Sequence, residues 1–255
     1  GECALVTGAG CGIGRGAAVK LAGEGASVGL LGRHPQELVA VASEIEAVGG
    51  RALILAADVA DEAQMKSAFA EAGDVFGRLD FVFANAGING TWAPIEQLTY
   101  ADWNLTHSIN LGGTFLAVHF AVPLMKEQGG SIAITSSING TRTFTTAGAS
   151  AYSASKAGQL AFGQMAALEL ARYRIRVNVI CPGGIRTNIG QNTWKINTET
   201  VKVPATYPEG TIPLTKGEPG TIEDIAEVVA FLASDRSKHI SGTPIWVDGA
   251  QSLLI

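Results

Sequence analysis

Short runs of apolar residues, each of strand length, alternate along the chain with longer segments of helical periodicity. Seven runs are rich in Val, Ile and Leu, and we predict a strand at each: residues 3–7, 26–31, 51–56, 79–84, 131–135, 175–180 and 244–247. Nearly continuous apolar strands are typical of parallel sheets covered on both faces. The pattern therefore predicts an α/β fold: a single Rossmann-like, doubly wound parallel sheet of about seven strands with helices on both faces.

The clearest helical segment runs from Ile222 to Leu232, with apolar residues spaced three and four apart. Thr221 precedes it and Asp224 follows three residues later, which is close to a capping box. These signals predict a helix that begins directly after Thr221.

The chain of 255 residues has no internal repeat and no Pro/Ser-rich linker. We therefore expect residues 1–255 to form a single dinucleotide-binding catalytic domain. One long polar stretch, residues 188–215, contains three prolines and no strong periodic pattern. A stretch of this kind is either a substrate lid or a disordered loop. We expect a lid that is mobile in the free protein and ordered by ligands.

Charge and cysteine usage limit the possible partners. The net charge is −5 and there is no basic stripe, so a nucleic-acid partner is not expected. No apolar run approaches the roughly 18 residues that a membrane span needs, and the first residues do not resemble a signal peptide. Cys3, Cys11 and Cys181 form no CxxC pair and are odd in number, which argues against disulfides and against a zinc site. We expect a cytoplasmic protein without a metal.

A glycine-rich turn, TGAGCGIG at residues 7–14, follows the first strand. Glycines allow a tight turn and let backbone N–H groups approach a pyrophosphate at a helix N-terminus. The spacing is TGxxxGxG rather than GxGxxG, and a turn without a ligand is the alternative interpretation. The turn supplies the first candidate dinucleotide-binding residues: Gly8, Gly10, Cys11, Gly12, Ile13 and Gly14.

The end of the second strand bears on the choice of cofactor. An acid there would bond the adenosine ribose of NAD, but the chain has Arg33, whose guanidinium suits a 2′-phosphate. This favours NADP(H), with NAD(H) possible, unless Arg33 is only a solvated residue before the next helix. Asp58 and Val59 follow the third strand. Asp58 either accepts a hydrogen bond from the adenine amine or is the polar residue that starts the next helix.

Tyr152 and Lys156 lie four residues apart in a long helical segment, so they share one helix face. A free tyrosine has a pKa near 10, too high for efficient proton transfer at neutral pH. A neighbouring ammonium favours the phenolate, and we expect it to lower the pKa of Tyr152. The pair alone is weak support for catalysis.

Together, these motifs resemble the classical short-chain dehydrogenase/reductase family. The matching residues are TGxxxGIG at 7–14, NAG at 85–87, Asn110, Ser136 and Ser137, YxxxK at 152–156, and Pro182-Gly183. They occur in the family's order and span the whole chain. The resemblance implies an oxidoreductase that moves a hydride between NAD(P)(H) and a carbonyl or secondary alcohol.

The resemblance also implies a catalytic tetrad. Tyr152 would be the general acid/base, and Lys156 would bond the nicotinamide ribose. Ser137 would hold the substrate oxygen, and Asn110 would anchor a water in a proton relay. The further cofactor-binding residues that it implies are Asn85, Ala86, Gly87, Pro182, Gly183, Ile185 and Thr187.

Two features depart from the family pattern. The spacing from Ser137 to Tyr152 is slightly longer than usual, so the intervening loop carries a small insertion and Ser136 is an alternative catalytic serine. Ala84 replaces the first of two asparagines that often end the fourth strand. Because Asn85 and Gly87 remain, we expect the backbone role of this turn to be kept.

Two cysteines, Cys11 and Cys181, lie in or next to candidate cofactor-binding segments and are expected to have no chemical role. Cys181 precedes Pro182 and is expected to pack as a small apolar residue. Cys11 lies in the glycine-rich turn, where a helix N-terminus could lower its pKa.

The substrate side is less specific. The candidates there mix aromatic and basic residues and would suit a polar substrate, with an anionic one as the alternative that the basic residues raise: Asn89, Trp92, Asn139, Arg142, Phe144, Trp194, Lys195 and Tyr207. The sequence does not identify the substrate.

Two other function classes fit the same fold. One is a catalytically silent nucleotide-binding regulator, which would be expected to have lost Tyr152 or Lys156. The other is a methyltransferase, which has no use for YxxxK.

The helix that carries Tyr152 has almost no polar face, and the preceding long helix is similarly apolar. The sheet can cover only one side of each, so we predict self-association, to a homotetramer or else a dimer. Trp246 and residues 253–255 could form a second interface.

Overall fold

The computed structural model describes residues 1–203 and 210–254. The strands are β1 (Cys3–Thr7), β2 (Ser27–Gly32), β3 (Arg51–Ala56), β4 (Phe81–Ala84), β5 (Gly90–Trp92), β6 (Gly130–Thr135), β7 (Ile175–Pro182), β8 (Thr193–Lys195) and β9 (Pro244–Val247). The α-helices are α1 (Gly12–Gly23), α2 (Pro35–Ala47), α3 (Glu62–Phe76), α4 (Tyr100–His107), α5 (Gly113–Met125), α6 (Ser150–Leu170) and α7 (Ile222–Ala233).

Seven strands form one parallel sheet in the order β3-β2-β1-β4-β6-β7-β9. All seven predicted strands are confirmed, with small shifts at the ends of four of them. The strand order reverses between β1 and β4. A reversal of this kind opens a crevice at the carboxyl ends of the two strands, where ligands of doubly wound folds bind.

The apolar residues of each strand point alternately to two buried clusters. Leu5 belongs to the cluster under α3, α5 and α6, whereas Ala4 and Val6 belong to the cluster under α1, α2 and α7. Both faces of the sheet are therefore covered, which explains why its strands are apolar almost throughout.

The predicted start of α7 is confirmed. The Thr221 hydroxyl accepts a hydrogen bond from the Asp224 N–H at 3.3 Å, and Asp224 Oδ2 accepts one from the Thr221 N–H at 2.7 Å. Two of the unpaired N–H groups at the helix N-terminus are thereby satisfied.

A second, two-stranded parallel sheet was not predicted. It pairs β5 with β8, and each strand has only three residues, too few to produce a periodic signal. Because β8 lies within residues 188–215, the first part of the expected lid has regular structure. Residues 204–209 of that stretch lie outside the described part of the chain.

One helical segment is more apolar than the sequence analysis anticipated. By length and composition alone, Tyr100–Met125 could cross a membrane. Its inner face packs into the core through Ala117, Ala121 and Met125, each fully buried. The core helix of a globular protein meets the same criterion, so this finding is weak support for a membrane span.

Candidate active site

The glycine-rich turn between β1 and α1 leaves its backbone open toward the crevice. Gly8 has a φ of +66° and Gly12 a φ of +52°, a region that favours glycine. A β-carbon on Gly14 would lie 2.1 Å from the backbone oxygen of Gly8, so only glycine lets α1 start this close to the turn. Cys11 occupies the N-cap position of α1 without a capping hydrogen bond from its side chain, and Ile13 packs against the core under α1, α2 and α7. This turn fits a dinucleotide pyrophosphate.

The turn after β4 is bonded to the ends of two neighbouring strands. The Thr7 hydroxyl accepts hydrogen bonds from the N–H groups of Asn85 (2.9 Å) and Ala86 (3.0 Å), and Asn85 Nδ2 donates to the Thr7 oxygen at 3.1 Å. Thr135, at the end of β6, donates to Asn85 Oδ1 at 3.1 Å. The sequence analysis included Thr7 only as the first residue of the TGxxxGxG motif and gave it no role, and it missed Thr135. The only signal for Thr135 is that it is the last, polar residue of an apolar parallel strand.

Arg33 and Asp58 both line a cavity of about 300 Å³ at the ends of β2 and β3. Their closest charged atoms, Arg33 Nη1 and Asp58 Oδ2, are 3.8 Å apart. Asp58 does not cap the next helix, because Asp61 is the N-cap of α3 and accepts from Gln64 N. The second interpretation of Asp58 is therefore wrong. Val59, next in the chain, is buried against Gly113.

The side chains of Tyr152 and Ser137 lie within hydrogen-bonding reach of each other on the other side of the crevice. The Ser137 hydroxyl also accepts from the Asn139 N–H at 3.1 Å. Ser136 points elsewhere, since its hydroxyl donates to the backbone oxygen of Lys156 at 2.7 Å. Of the two candidate serines, the structure brings Ser137 to the tyrosine.

The Lys156 ammonium is buried close to Tyr152. Its Nζ lies 5.6 Å from the centroid of the tyrosine ring and donates to the Thr135 backbone oxygen at 3.0 Å. Burial disfavours the charged form and lowers the pKa of Lys156 to about 7.

The expected lowering of the tyrosine pKa is not present. Burial raises the pKa of Tyr152, and the hydrogen bond with Ser137 offsets this only in part. Desolvation of the phenolate dominates because the Tyr152 side chain is buried. The sequence showed that Tyr152 and Lys156 share one helix face, but it did not show how deeply the Tyr152 side chain is buried.

Asn110 lies in a π-helical turn, Ser108–Gly112, between α4 and α5, and is fully buried. Its side chain accepts from Ile88 N (2.8 Å) and donates to Ile88 O (2.9 Å) and Ser155 Oγ (3.0 Å). Its backbone oxygen accepts from Thr114 Oγ1 (2.8 Å) and Gln159 Nε2 (2.9 Å). The network joins the turn after β4 to α6. Nothing in the sequence singled out Thr114, Ser155 or Gln159.

The loop after β7 closes the crevice from one side. Pro182 ends β7, and the Gly183 N–H donates to the Val247 oxygen at 3.1 Å. Ile185 bridges to Gly220, and Thr187 reaches the glycine-rich turn, where its Cβ lies 3.6 Å from a β-carbon placed on Gly12. The loop after β7, whose residues the resemblance assigns to the cofactor, therefore touches the turn predicted to hold the pyrophosphate.

The two cysteines near the crevice differ in exposure, Cys181 being buried and Cys11 exposed, but the pKa of each thiol is raised. Cys181 is fully buried, and burial raises its pKa to about 11, as expected for a packed, unreactive thiol. The pKa of Cys11 is raised, first by burial and then by the nearby Glu37 carboxylate. The suggestion that the helix N-terminus lowers the pKa of Cys11 is therefore wrong.

The basic residues on the substrate side are stacked on aromatic rings. The Arg142 guanidinium lies 3.4 Å from the Trp246 ring centroid, and Lys195 Nζ lies 5.5 Å from that of Trp92. Phe144 is largely exposed. Tyr207 lies outside the described residues.

The other substrate-side candidates meet along the small sheet. Asn89 Nδ2 donates to Thr193 Oγ1 at 2.8 Å, and its backbone oxygen accepts from the Trp92 indole at 3.2 Å. Trp194 is half exposed on β8. Within residues 1–203 and 210–254, no group of three or more His, Cys, Asp and Glu side chains could hold a metal ion.

Known proteins resemble this chain over its full length. A family model described as enoyl-(acyl carrier protein) reductase matches residues 8–250. Levodione reductase from Leifsonia aquatica is 37% identical over 253 residues, which cover 97% of this chain and 93% of the relative.

Solved structures agree with this result. A 3-ketoacyl-ACP reductase from Sinorhizobium meliloti 1021 has a TM-score of 0.96 at 52% identity, and both chains are covered in full. A 3-ketoacyl-(acyl-carrier-protein) reductase from Brucella melitensis, complexed with NADH, has a TM-score of 0.86 at 29% identity and is covered to 98%, against 99% of this chain.

The fold and these relatives define an oxidoreductase of the NAD(P)-dependent class that acts on alcohol or ketone substrates. The chain belongs to the short-chain dehydrogenase/reductase family, as its motifs predicted.

Proposed function

We propose that this enzyme moves a hydride between NAD(P)(H) and the carbonyl or secondary alcohol carbon of a small molecule, with Tyr152 as the general acid/base. The observation that carries the proposal is the buried contact of Tyr152 with Ser137, with the Lys156 ammonium 5.6 Å from the tyrosine ring centroid. These groups lie across the crevice from a glycine turn that fits a dinucleotide.

Each group has a defined task in the reduction of a ketone. Ser137 accepts from the Asn139 N–H, and its own proton, which can donate to Tyr152 while no substrate is bound, would bond the substrate oxygen instead. Tyr152 gives its proton to that oxygen, and the charged form of Lys156 stabilises the phenolate that results. A nicotinamide bound beside them supplies the hydride in reduction and accepts it in oxidation.

For Asn110 we propose a positioning role. The family resemblance implied a water on this residue, but its backbone oxygen already accepts two hydrogen bonds, from Thr114 and Gln159. An oxygen with two lone pairs is thereby saturated. Asn110 would fix the turn at Ile88 relative to α6 and so fix the distance from the nicotinamide side to Tyr152.

The turn after β1, the turn after β4 and the loop after β7 would hold the dinucleotide. We propose that Arg33 favours NADP(H) and that NAD(H) is also accepted. The support is the position of Arg33 beside the cavity at the ends of β2 and β3, where the adenosine ribose of doubly wound folds lies.

A panel of ketones and secondary alcohols, assayed with NADPH, NADH and their oxidised forms, tests the proposal. We expect cofactor-dependent turnover of at least one carbonyl–alcohol pair. A chain that binds a dinucleotide but turns over none of the panel would instead support a silent regulator, which the retention of Tyr152 and Lys156 disfavours.

Residues 188–215 are proposed to be a lid over the substrate. Their first part pairs with β5, and Thr198 lies against Gly148 in the loop between Ser137 and Tyr152. This placement supports a lid that contacts both sides of the substrate region. A single catalytic domain and a cytoplasmic location also remain predictions.

We propose that the enzyme assembles as a homotetramer, with a dimer as the smaller alternative. Apolar side chains on α5 and α6 are open to water: Phe115 is 48% exposed, Met165 55% and Leu168 73%. Such a patch on two adjacent helices is typical of an interface. Leu253, 67% exposed, could belong to a second one, whereas Trp246 is stacked under Arg142 and Ile255 lies outside the described residues.

Sedimentation velocity tests the assembly. The wild type is expected to sediment as a tetramer or dimer, and the double substitution Phe115→Glu/Leu168→Glu should produce smaller species. Val39→Glu places the same charge on a half-exposed apolar site of α2 and should not change the assembly. A wild-type chain that is active and monomeric at micromolar concentration would contradict the prediction.

A further inference from the structure

A carboxylate that the motif pattern does not include stands beside the glycine-rich turn. Glu37 lies in the first turn of α2, and a β-carbon placed on Gly10 would lie 2.8 Å from Glu37 Oε2 and 2.9 Å from Glu37 Cβ. The glycine therefore makes room for this side chain. A second observation agrees: the Glu37 charge helps to raise the pKa of Cys11, the next residue in the turn.

Glu37 has no partner of its own among the described residues. It forms no side-chain hydrogen bond and no ion pair there. By contrast, Glu44 on the same helix accepts three hydrogen bonds of 2.8–3.1 Å from the Arg15 guanidinium. Arg15 directly follows the turn but is committed to Glu44, so it neither neutralises Glu37 nor is free for a phosphate.

The remaining cation at this end is already paired. Arg33 faces Asp58 at 3.8 Å, so these two charges largely balance one another. Glu37, at the glycine-rich turn, adds a negative charge that neither arginine offsets. The surroundings are therefore less favourable for an added phosphate than Arg33 alone suggests.

We propose that Glu37 is a specificity-determining residue whose carboxylate opposes the 2′-phosphate of NADP(H) and accepts a hydrogen bond from the ribose hydroxyl of NAD(H). The inference rests on the proposed function, because it requires a dinucleotide in this crevice. A phosphate monoester carries close to two negative charges at pH 7, whereas a ribose hydroxyl is neutral and can donate to a carboxylate. Glu37 supplies the acid that β2 lacks, from the neighbouring helix. Glu37 therefore reduces the preference for NADP(H) over NAD(H) that Arg33 creates.

Dissociation constants for NADPH and NADH, measured by titration with the whole chain and without substrate, test the inference. In Glu37→Gln the ratio of the NADPH constant to the NADH constant should fall by about fivefold to tenfold at low salt, because one negative charge next to the phosphate is removed. Since Glu37 is exposed, the change should shrink at high salt.

Glu46→Gln is the matched control. It removes the same charge from an exposed position on the same helix, further from the turn, and should leave the ratio unchanged. Equal changes for both dinucleotides in Glu37→Gln, or no change for either, would overturn the inference. A wild-type chain that binds neither NADH nor NADPH would overturn the proposed function instead.

Discussion

The two ends of the crevice that we propose to hold the dinucleotide differ in burial and in hydrogen bonding. At the catalytic end, Ser137, Tyr152 and Lys156 are 7%, 8% and 3% exposed, and each has a hydrogen-bond partner. At the adenosine end, the Arg33 and Asp58 side chains are 47% and 34% exposed and meet only at 3.8 Å.

The difference in burial implies that electrostatic interactions are stronger at the catalytic end than at the adenosine end. Buried charges and hydrogen bonds act in a low dielectric, so they shift pKa values and fix geometry. Exposed charges are screened by water and salt and change affinity only by small factors. We therefore expect substitutions at the catalytic end to change turnover or stability strongly. Those at the adenosine end should change the choice of cofactor mildly.

The largest structural effect is expected where the two ends meet, at the glycine-rich turn. Gly14→Ala would place a β-carbon 2.1 Å from the Gly8 oxygen, so the backbone must move. We expect a loss of at least about 2 kcal/mol in the free energy of unfolding and a loss of dinucleotide binding.

Gly23→Ala, at the other end of α1, is the control. Nothing lies within 4 Å of its added β-carbon, so alanine should be neutral or stabilise by up to about 1 kcal/mol. Chemical denaturation and cofactor titration measure both variants. Similar stabilities of the two would show that the turn tolerates a side chain.

The two serines provide the next test of the catalytic end. Ser137→Ala removes the hydroxyl bonded to Tyr152, and kcat should fall by about 100-fold or more with unchanged cofactor affinity. Ser136→Ala removes a buried hydrogen bond to the Lys156 backbone and should cost about 1 kcal/mol of stability while most turnover remains. The reverse result would assign the role to Ser136.

The buried lysine makes stability depend on pH. Its pKa falls from an ordinary value of 10.5 to about 7 on folding, so between these values the unfolded chain binds more protons than the folded one. The free energy of unfolding should therefore rise with pH, by at most about 1.4 kcal/mol per pH unit from this group.

Lys156→Met should remove this contribution. The slopes of the two proteins are best compared between about pH 7 and 9, because the raised pKa of Cys181 produces an opposite slope above its ordinary value of 9.0. Chemical denaturation at several pH values gives both slopes. Equal slopes would mean that the lysine is not buried as the structure shows.

The sequence predicted the sheet well because each strand is a continuous apolar run with a helix after it. It also predicted the family, since the motifs occur in order. It did not predict the polar network around Asn110, because Thr114 and Gln159 belong to ordinary apolar helices until α5 and α6 are packed together. Nor could it predict the pKa values of Tyr152 and Lys156 or the contact between Glu37 and Gly10, which depend on how helices pack against the sheet.

The central claim is that Tyr152 transfers the proton to or from the substrate oxygen, and that dinucleotide binding does not depend on the Tyr152 hydroxyl. The most direct test is Tyr152→Phe, which keeps the ring and removes only the hydroxyl. We expect kcat to fall by about 1,000-fold or more, while the NADH and NADPH dissociation constants stay within about twofold of wild type. Retention of most of the turnover in this variant would contradict the account.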